Sequence, residues 1–118
     1  MSDVGKRIPL VFFRTEAGAE PVREWLLSLP RADRRVVGFG LKELEFGWPI
    51  GMPLCRALGD RLFEVRVSVP SRRIARVIVC AAEGELYALH AFIKKTRKTP
   101  AVDMRLARNR KRELERTK

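Results

Sequence analysis

The alternation of apolar and polar positions is clearest between Leu62 and Pro100, where LFEVRVSVPSRRIARVIVCAAEGELYALHAFIKKTRKTP reads as three consecutive antiparallel strands. Leu62–Val69 places Phe63, Val65, Val67 and Val69 on one face and Leu62, Glu64, Arg66 and Ser68 on the other. Ile74–Cys80 is apolar apart from Arg76, and Glu85–Ile93 is apolar apart from His90, the only histidine of the chain. Pro70-Ser71-Arg72 and Ala82-Glu83-Gly84 supply turn residues between the strands.

Upstream, Ile8–Arg14 predicts a strand, followed by a loop to Glu20. Pro21 sits where a first helical residue belongs, and Val22, Trp25, Leu26 and Leu29 follow at helical spacing. After Pro30 a second helix is predicted over about Arg31–Phe46, burying Val37, Leu41 and Leu44, with Gly47 as its stop. Gly38 and Gly40 inside it are expected to let the first helix approach closely. Trp48–Asp60 reads as a turn-rich connector. Thr99-Pro100 opens a last, largely basic helix over about Pro100–Arg116, with Val102, Leu106 and Leu114 as its apolar positions. The order β-α-α-β-β-β-α predicts one α+β domain over residues 1–118. Its mostly antiparallel sheet carries the two N-terminal helices on one face and is followed by a C-terminal basic helix. The other face is expected to stay partly open to a partner.

Strand register brings the ionisable residues together. With three-residue loops, Val69 closes against Arg73 and Ala81 against Glu85, which sets Arg66 opposite Arg76 and Arg76 opposite His90. A two-residue Glu83-Gly84 turn would set Ala91 opposite Arg76 instead. The expected row of Arg66, Arg76 and His90 opposes two like charges, so removing one arginine should be neutral or slightly stabilising unless an anion or carboxylate lies between them. Glu64, on the same face, is the candidate carboxylate, either as a base or as a structural partner. Ordinary surface ion pairs to Glu64 and Glu43 are the competing account of the two arginines.

Charge changes the picture further. The chain has 25 Lys and Arg against 14 Asp and Glu, a net charge of +11, with a pI near 10.8. From Lys94 onward eleven basic residues face three acidic ones, so +8 of that +11 lies in the last stretch. Such clustering points to a polyanion, nucleic acid or an acidic protein. Lys94, Lys95, Arg97 and Lys98, directly after a strand, are the candidate phosphate contacts. Cys55 and Cys80 show no metal or redox spacing. With one histidine and no acidic cluster, neither a metal site nor a cofactor is expected. No stretch is long enough to span a bilayer and none reads as a signal peptide, so no membrane partner and a cytoplasmic location are expected.

The series LFEVRV, a short loop, RIARVIV, a hairpin, LYALHAFIKKTRKTP and a basic terminal helix resembles the RelE/ParE superfamily of toxins from bacterial type II toxin–antitoxin modules. Within it, the HigB-like, phage-related branch is the most similar. The resemblance runs from Pro21-Val22-Arg23-Glu24-Trp25 to Arg108–Glu113. It is most specific at His90-Ala91-Phe92-Ile93-Lys94-Lys95 followed by Lys98-Thr99-Pro100. It implies a RelE-like, microbial-RNase-like fold and cleavage of messenger RNA in the ribosomal A site. It also implies neutralisation by an antitoxin, expected as a helix-turn-helix protein. Some relatives use lysines and a C-terminal tyrosine; the only tyrosine here, Tyr87, falls in antiphase to His90, so no tyrosine role is carried over.

The residues fit metal-independent RNA cleavage on chemical grounds. The 2′-OH can attack the adjacent phosphate, given a base for that hydroxyl, cations for the phosphoryl oxygens and an acid for the leaving 5′-oxygen. Arginines suit the middle role because they stay charged and fork onto two oxygens. A histidine among them has its imidazolium form disfavoured by like charge, which keeps neutral and protonated forms both accessible. Arg66, Arg76 and His90 are therefore the candidate catalytic residues. A non-catalytic gyrase inhibitor of the ParE-like kind and an inactive RNA-binding member remain the alternatives.

Overall fold

The computed structural model describes residues 8–51, 54–94 and 99–117. Helix α1 (Pro21–Ser28) begins on Pro21, whose missing N–H is no loss in a first turn, and the Glu24 carboxylate accepts from the Glu20 N–H at 3.3 Å. It stops because Pro30 forces Leu29 into extended backbone. Helix α2 (Arg31–Gly47) follows at once, burying Val37, Leu41 and Leu44 as its periodicity requires. Gly47 is its last residue, with Ile50 folded back against the place a Cβ would occupy.

The two internal glycines of α2 behave differently from each other and from expectation. A Cβ on Gly40 would stand 2.7 Å from Val67 Cγ2, so Gly40 brings the helix close to a strand and not to α1. A Cβ on Gly38 meets nothing within 4 Å. Gly38→Ala is therefore expected to raise stability by about 1 kcal/mol. Gly40→Ala should lower it, because the stiff valine has little room to yield. Urea melts of both variants check the two signs.

Among the described residues the sheet has five strands in the order β1-β5-β4-β3-β2: β1 (Leu10–Phe12), β2 (Cys55–Gly59), β3 (Leu62–Val69), β4 (Arg73–Ala82) and β5 (Glu85–Lys94). Only β1 runs parallel to its neighbour, β5. The expected Ile8–Arg14 strand shortens to three residues. Inside the expected connector, Cys55–Gly59 is an edge strand paired with β3. Five residues between turns are too few for a period-two pattern to register, which is why this strand escapes a sequence reading.

Two layers cover the sheet. Val22, Leu26, Val37, Leu41 and Leu44 of α1 and α2 pack on Val65, Val67, Val77, Val79, Leu86 and Ala88. Helix α3 (Ala101–Thr117) lies across the opposite face, where Ala107 and Leu114 join Phe13, Leu62, Ile78, Cys80, Tyr87, Leu89 and Phe92. The face expected to be partly open is thus closed over much of its area by the basic helix itself. Of that helix's expected apolar positions, Leu114 is buried while Val102 is 66% exposed. Fastenings are polar: Asp33 of α2 accepts from the Ser71 N–H (3.2 Å) and hydroxyl (2.7 Å), and Glu45 accepts from the Leu10 N–H (2.6 Å). The Ser71 bonds, with Arg73 alongside, hold the Asp33 carboxyl below its ordinary value against the opposing effect of burial.

Candidate functional site

The β3–β4 register is the one expected, with a three-residue loop and Arg66 opposite Arg76. The β4–β5 register is not. Glu83 and Gly84, both at positive φ (51° and 79°), make a two-residue turn that pairs Ala82 with Glu85. That turn alone would set Ala91 opposite Arg76 and send His90 to the helix-pair face. A β-bulge then intervenes: Val79 pairs with Ala88 but Ile78 pairs with His90, leaving Leu89 as the extra residue. Side-chain alternation reverses there, and His90 returns to the face of Arg76 one pair further along. The rows are Arg66–Arg76–Phe92 and, beside it, Arg56–Glu64–Ile78–His90. The single row of Arg66, Arg76 and His90 is therefore replaced by two adjacent rows, with His90 a diagonal neighbour of Arg76. Tyr87, expected in antiphase to His90, shares its face for the same reason; its hydroxyl donates to Glu85 at 2.7 Å.

Glu64 is the centre of the first group. It is completely buried, and three guanidinium groups approach it: Arg56 Nη2 at 3.8 Å and Arg66 Nε at 3.9 Å from Oε1, and Arg76 Nη1 at 3.7 Å from Oε2. The Thr99 hydroxyl donates to Oε2 at 2.5 Å, joining the segment before α3 to the sheet. The two facing arginines are thus reconciled by a shared carboxylate, in a buried cluster and not in surface pairs. Three guanidinium groups against one carboxylate leave two positive charges. Exposure is graded: the Arg76 side chain is 1% exposed, Arg66 23% and Arg56 38%, so the floor is anchored and the rim faces solvent. Among the described residues, the Nε groups of Arg56 and Arg66 and Glu64 Oε1 are buried without a hydrogen-bond partner. Arg66 Nε faces Glu64 Oε1 from beyond hydrogen-bond length, so charge and not a formed hydrogen bond holds that pair, and the excess positive charge reaches solvent at the Arg56 and Arg66 rim, where an anion would be favoured.

His90 forms a second group with α3. Its Nε2 lies 2.6 Å from Asp103 Oδ1 and its Nδ1 lies 3.4 Å from Arg110 Nη1, which also donates to the Leu89 carbonyl at 2.8 Å. The ring stacks on Phe92 with centroids 5.4 Å apart and planes at 22°. The purely like-charged surroundings expected for His90 are thus replaced by a carboxylate on one nitrogen and a guanidinium near the other. Burial pulls the Arg110 guanidinium below its ordinary value, an effect that Glu113 opposes.

Of the basic run, Lys95, Arg97 and Lys98 lie outside the described residues, and Lys94 is the last residue of β5. Sequence reading missed Arg56, Thr99, Asp103 and Arg110. Arg56 sits in the unrecognised strand, and Asp103 was legible only as an acidic residue in the first turn of a basic helix. Among the described residues no group of three or more His, Cys, Asp and Glu could hold a metal ion, and no helix is long and apolar enough to cross a membrane. Cys55 and Cys80 are buried free thiols; burial pushes Cys80 up to about 11.

This geometry defines a class: a small α+β protein whose cationic sheet face is closed by a basic helix. The chain belongs to the family described as phage derived protein Gp49-like (DUF891), which matches residues 24–112, about three quarters of its length. That family is phage-related and toxin-like and falls within the RelE-type toxin–antitoxin-like superfamily. The matched span contains both the Glu64 and the His90 groups. No curated protein matches the chain.

Proposed function

We propose that this protein is the toxin of a type II toxin–antitoxin module, of the HigB-like branch, and acts as a ribosome-dependent endoribonuclease on messenger RNA. The observation that carries the reading is the arginine cluster, with two excess positive charges and the side chains of Arg56 and Arg66 reaching solvent at its rim. A scissile phosphate supplies the missing negative charge. The 2′-oxygen bonds to phosphorus as its proton passes to a base, and the bond from phosphorus to the 5′-oxygen breaks as that oxygen takes a proton. The products are a 2′,3′-cyclic phosphate and a 5′-hydroxyl end. No metal is needed, because the nucleophile belongs to the RNA and arginines stabilise the developing charge. Arg66 binds the phosphoryl oxygens at the rim, Arg76 adds its charge from the buried floor, and His90 exchanges the proton. Lys94, Lys95, Arg97 and Lys98 track the flanking phosphates.

The partners that follow are messenger RNA in the ribosomal A site, in the cytoplasm, and a helix-turn-helix antitoxin that neutralises the basic surface by complementary charge. Brief induction of the chain alone should arrest growth and generate new 5′-hydroxyl RNA ends inside translated frames. Co-expression of the antitoxin from the neighbouring gene should restore growth. Unimpaired growth with abundant folded protein would refute the toxin reading, and arrest with gyrase-linked DNA breaks but intact transcripts would replace cleavage by gyrase inhibition.

A further inference from the structure

The bulge at Leu89 is the local event that turns His90 toward α3, and the two groups that meet it there, Asp103 and Arg110, specify how its ring can carry a proton. Arg110 Nη1 has two N–H bonds: one donates to the Leu89 carbonyl at 2.8 Å and the other faces His90 Nδ1 at 3.4 Å. A guanidinium has no lone pair to offer, so a proton on Nδ1 would meet a donor and find no acceptor. A lone pair on Nδ1 accepts from Arg110 instead. The proton of the neutral ring then sits on Nε2, where Asp103 Oδ1 accepts it at 2.6 Å. The hydrogen bond at one ring nitrogen decides the state of the other. The remaining neighbours are apolar: Ile78 opposite on β4, Phe92 stacked against the ring, and Leu89 itself. Beyond them, the charged group of the adjacent row on β4 is Arg76.

We infer that Asp103 is a positioning residue that, with Arg110, holds His90 as its Nε2–H tautomer, so that Nδ1 is the nitrogen that exchanges a proton with RNA. The last clause rests on the nuclease reading; the tautomer does not. The pairing is also economical in structure. Asp103 lies in the first turn of α3 and Arg110 two turns later, so one helix face grips the ring from both sides. Both contacts are part-buried, but the carboxylate bond is short while the guanidinium contact is long. Nδ1 is therefore the nitrogen whose partner a substrate oxygen can displace.

Because His90 is the only histidine, an untagged, 15N-labelled sample shows a single imidazole. Its spectrum should show a lone-pair nitrogen at Nδ1 and a protected, downfield proton on Nε2. That proton signal should be lost to exchange in Asp103→Ala and survive in Asp103→Glu, which keeps a carboxylate. In parallel, Asp103→Ala should reduce cleavage of ribosome-bound messenger by at least on the order of 10²-fold with RNA affinity little changed, since a mis-set tautomer in an Asp–His pair costs up to about 10⁴. Asp103→Glu should regain part of that loss. A wild-type proton on Nδ1, or an Nε2 proton as well protected in Asp103→Ala as in the wild type, overturns the inference. So does full cleavage by an Asp103→Ala protein whose spectrum has changed. A wild-type protein that cleaves no RNA would sink the nuclease reading, and the spectra would still decide the tautomer.

Discussion

Glu64→Ala is expected to lower folding stability by about 3–5 kcal/mol, the usual cost of removing one side of a buried ionic group. The reason lies in the depth of its partners. Arg76 is 1% exposed and cannot swing into solvent when its counter-ion goes, while Arg66 and Arg56 retain partial access to water. The lost Thr99 hydrogen bond adds to the effect, because it ties the entry of α3 to the sheet. Arg76→Ala should also destabilise, since it leaves a completely buried carboxylate with its two more exposed arginines. This reverses the expectation from register alone, in which two opposed arginines repel and losing either is harmless. For a chain of this size the Glu64 loss corresponds to a fall in Tm of roughly 10–20 °C. An Glu64→Ala protein that melts with the wild type would mean that solvent already screens the arginines, and that the cluster is not a buried ionic core.

Arg66→Ala and His90→Ala should each reduce messenger cleavage by on the order of 10²–10³-fold while RNA binding changes far less. Arg66 is the sharper probe of the two arginines opposed across β3 and β4. It stands at the partly exposed rim, and its removal leaves Arg56, Arg76 and Thr99 around Glu64. The fold should therefore survive, whereas Arg76→Ala would confound chemistry with stability. Melting temperature, RNA affinity and cleavage by purified protein on programmed ribosomes are to be measured on the same samples. Variants that melt normally and remain fully active would remove Arg66 and His90 from the reaction and leave the basic run after β5 as the surviving contact with RNA.

The strands from Leu62 to Lys94 were legible from one alternating and two near-continuous apolar runs bounded by turn residues, and the helices of the described residues from apolar spacing and from the prolines at their starts. The opposition of Arg66 and Arg76 followed too, since the residues Pro70-Ser71-Arg72 set a loop length and one loop length sets one register. β2 was invisible, being short and bounded by turns, and with it went Arg56. His90 reached the right face by two departures from the expected register that offset each other in face but not in position. The two-residue turn shifts the pairing by one, and the extra residue at Leu89 restores the face one pair along.

What the sequence by itself determined is therefore what depends on neighbours along the chain: the elements, the faces of β3 and β4, the first hairpin's register and the concentration of charge after Lys94. What only the tertiary structure decided is what depends on segments far apart meeting. The bulge of the second hairpin presents the Leu89 carbonyl to Arg110 of α3, which donates to it from 21 residues away, a contact that no neighbour along the chain encodes. Whether Glu64 is a surface partner or the centre of an ionic core depends on Arg56, Arg66, Arg76 and Thr99 converging from four separate segments. Local patterns encode which way a side chain points. They do not encode which charge arrives opposite it, because that is settled by packing the whole chain at once.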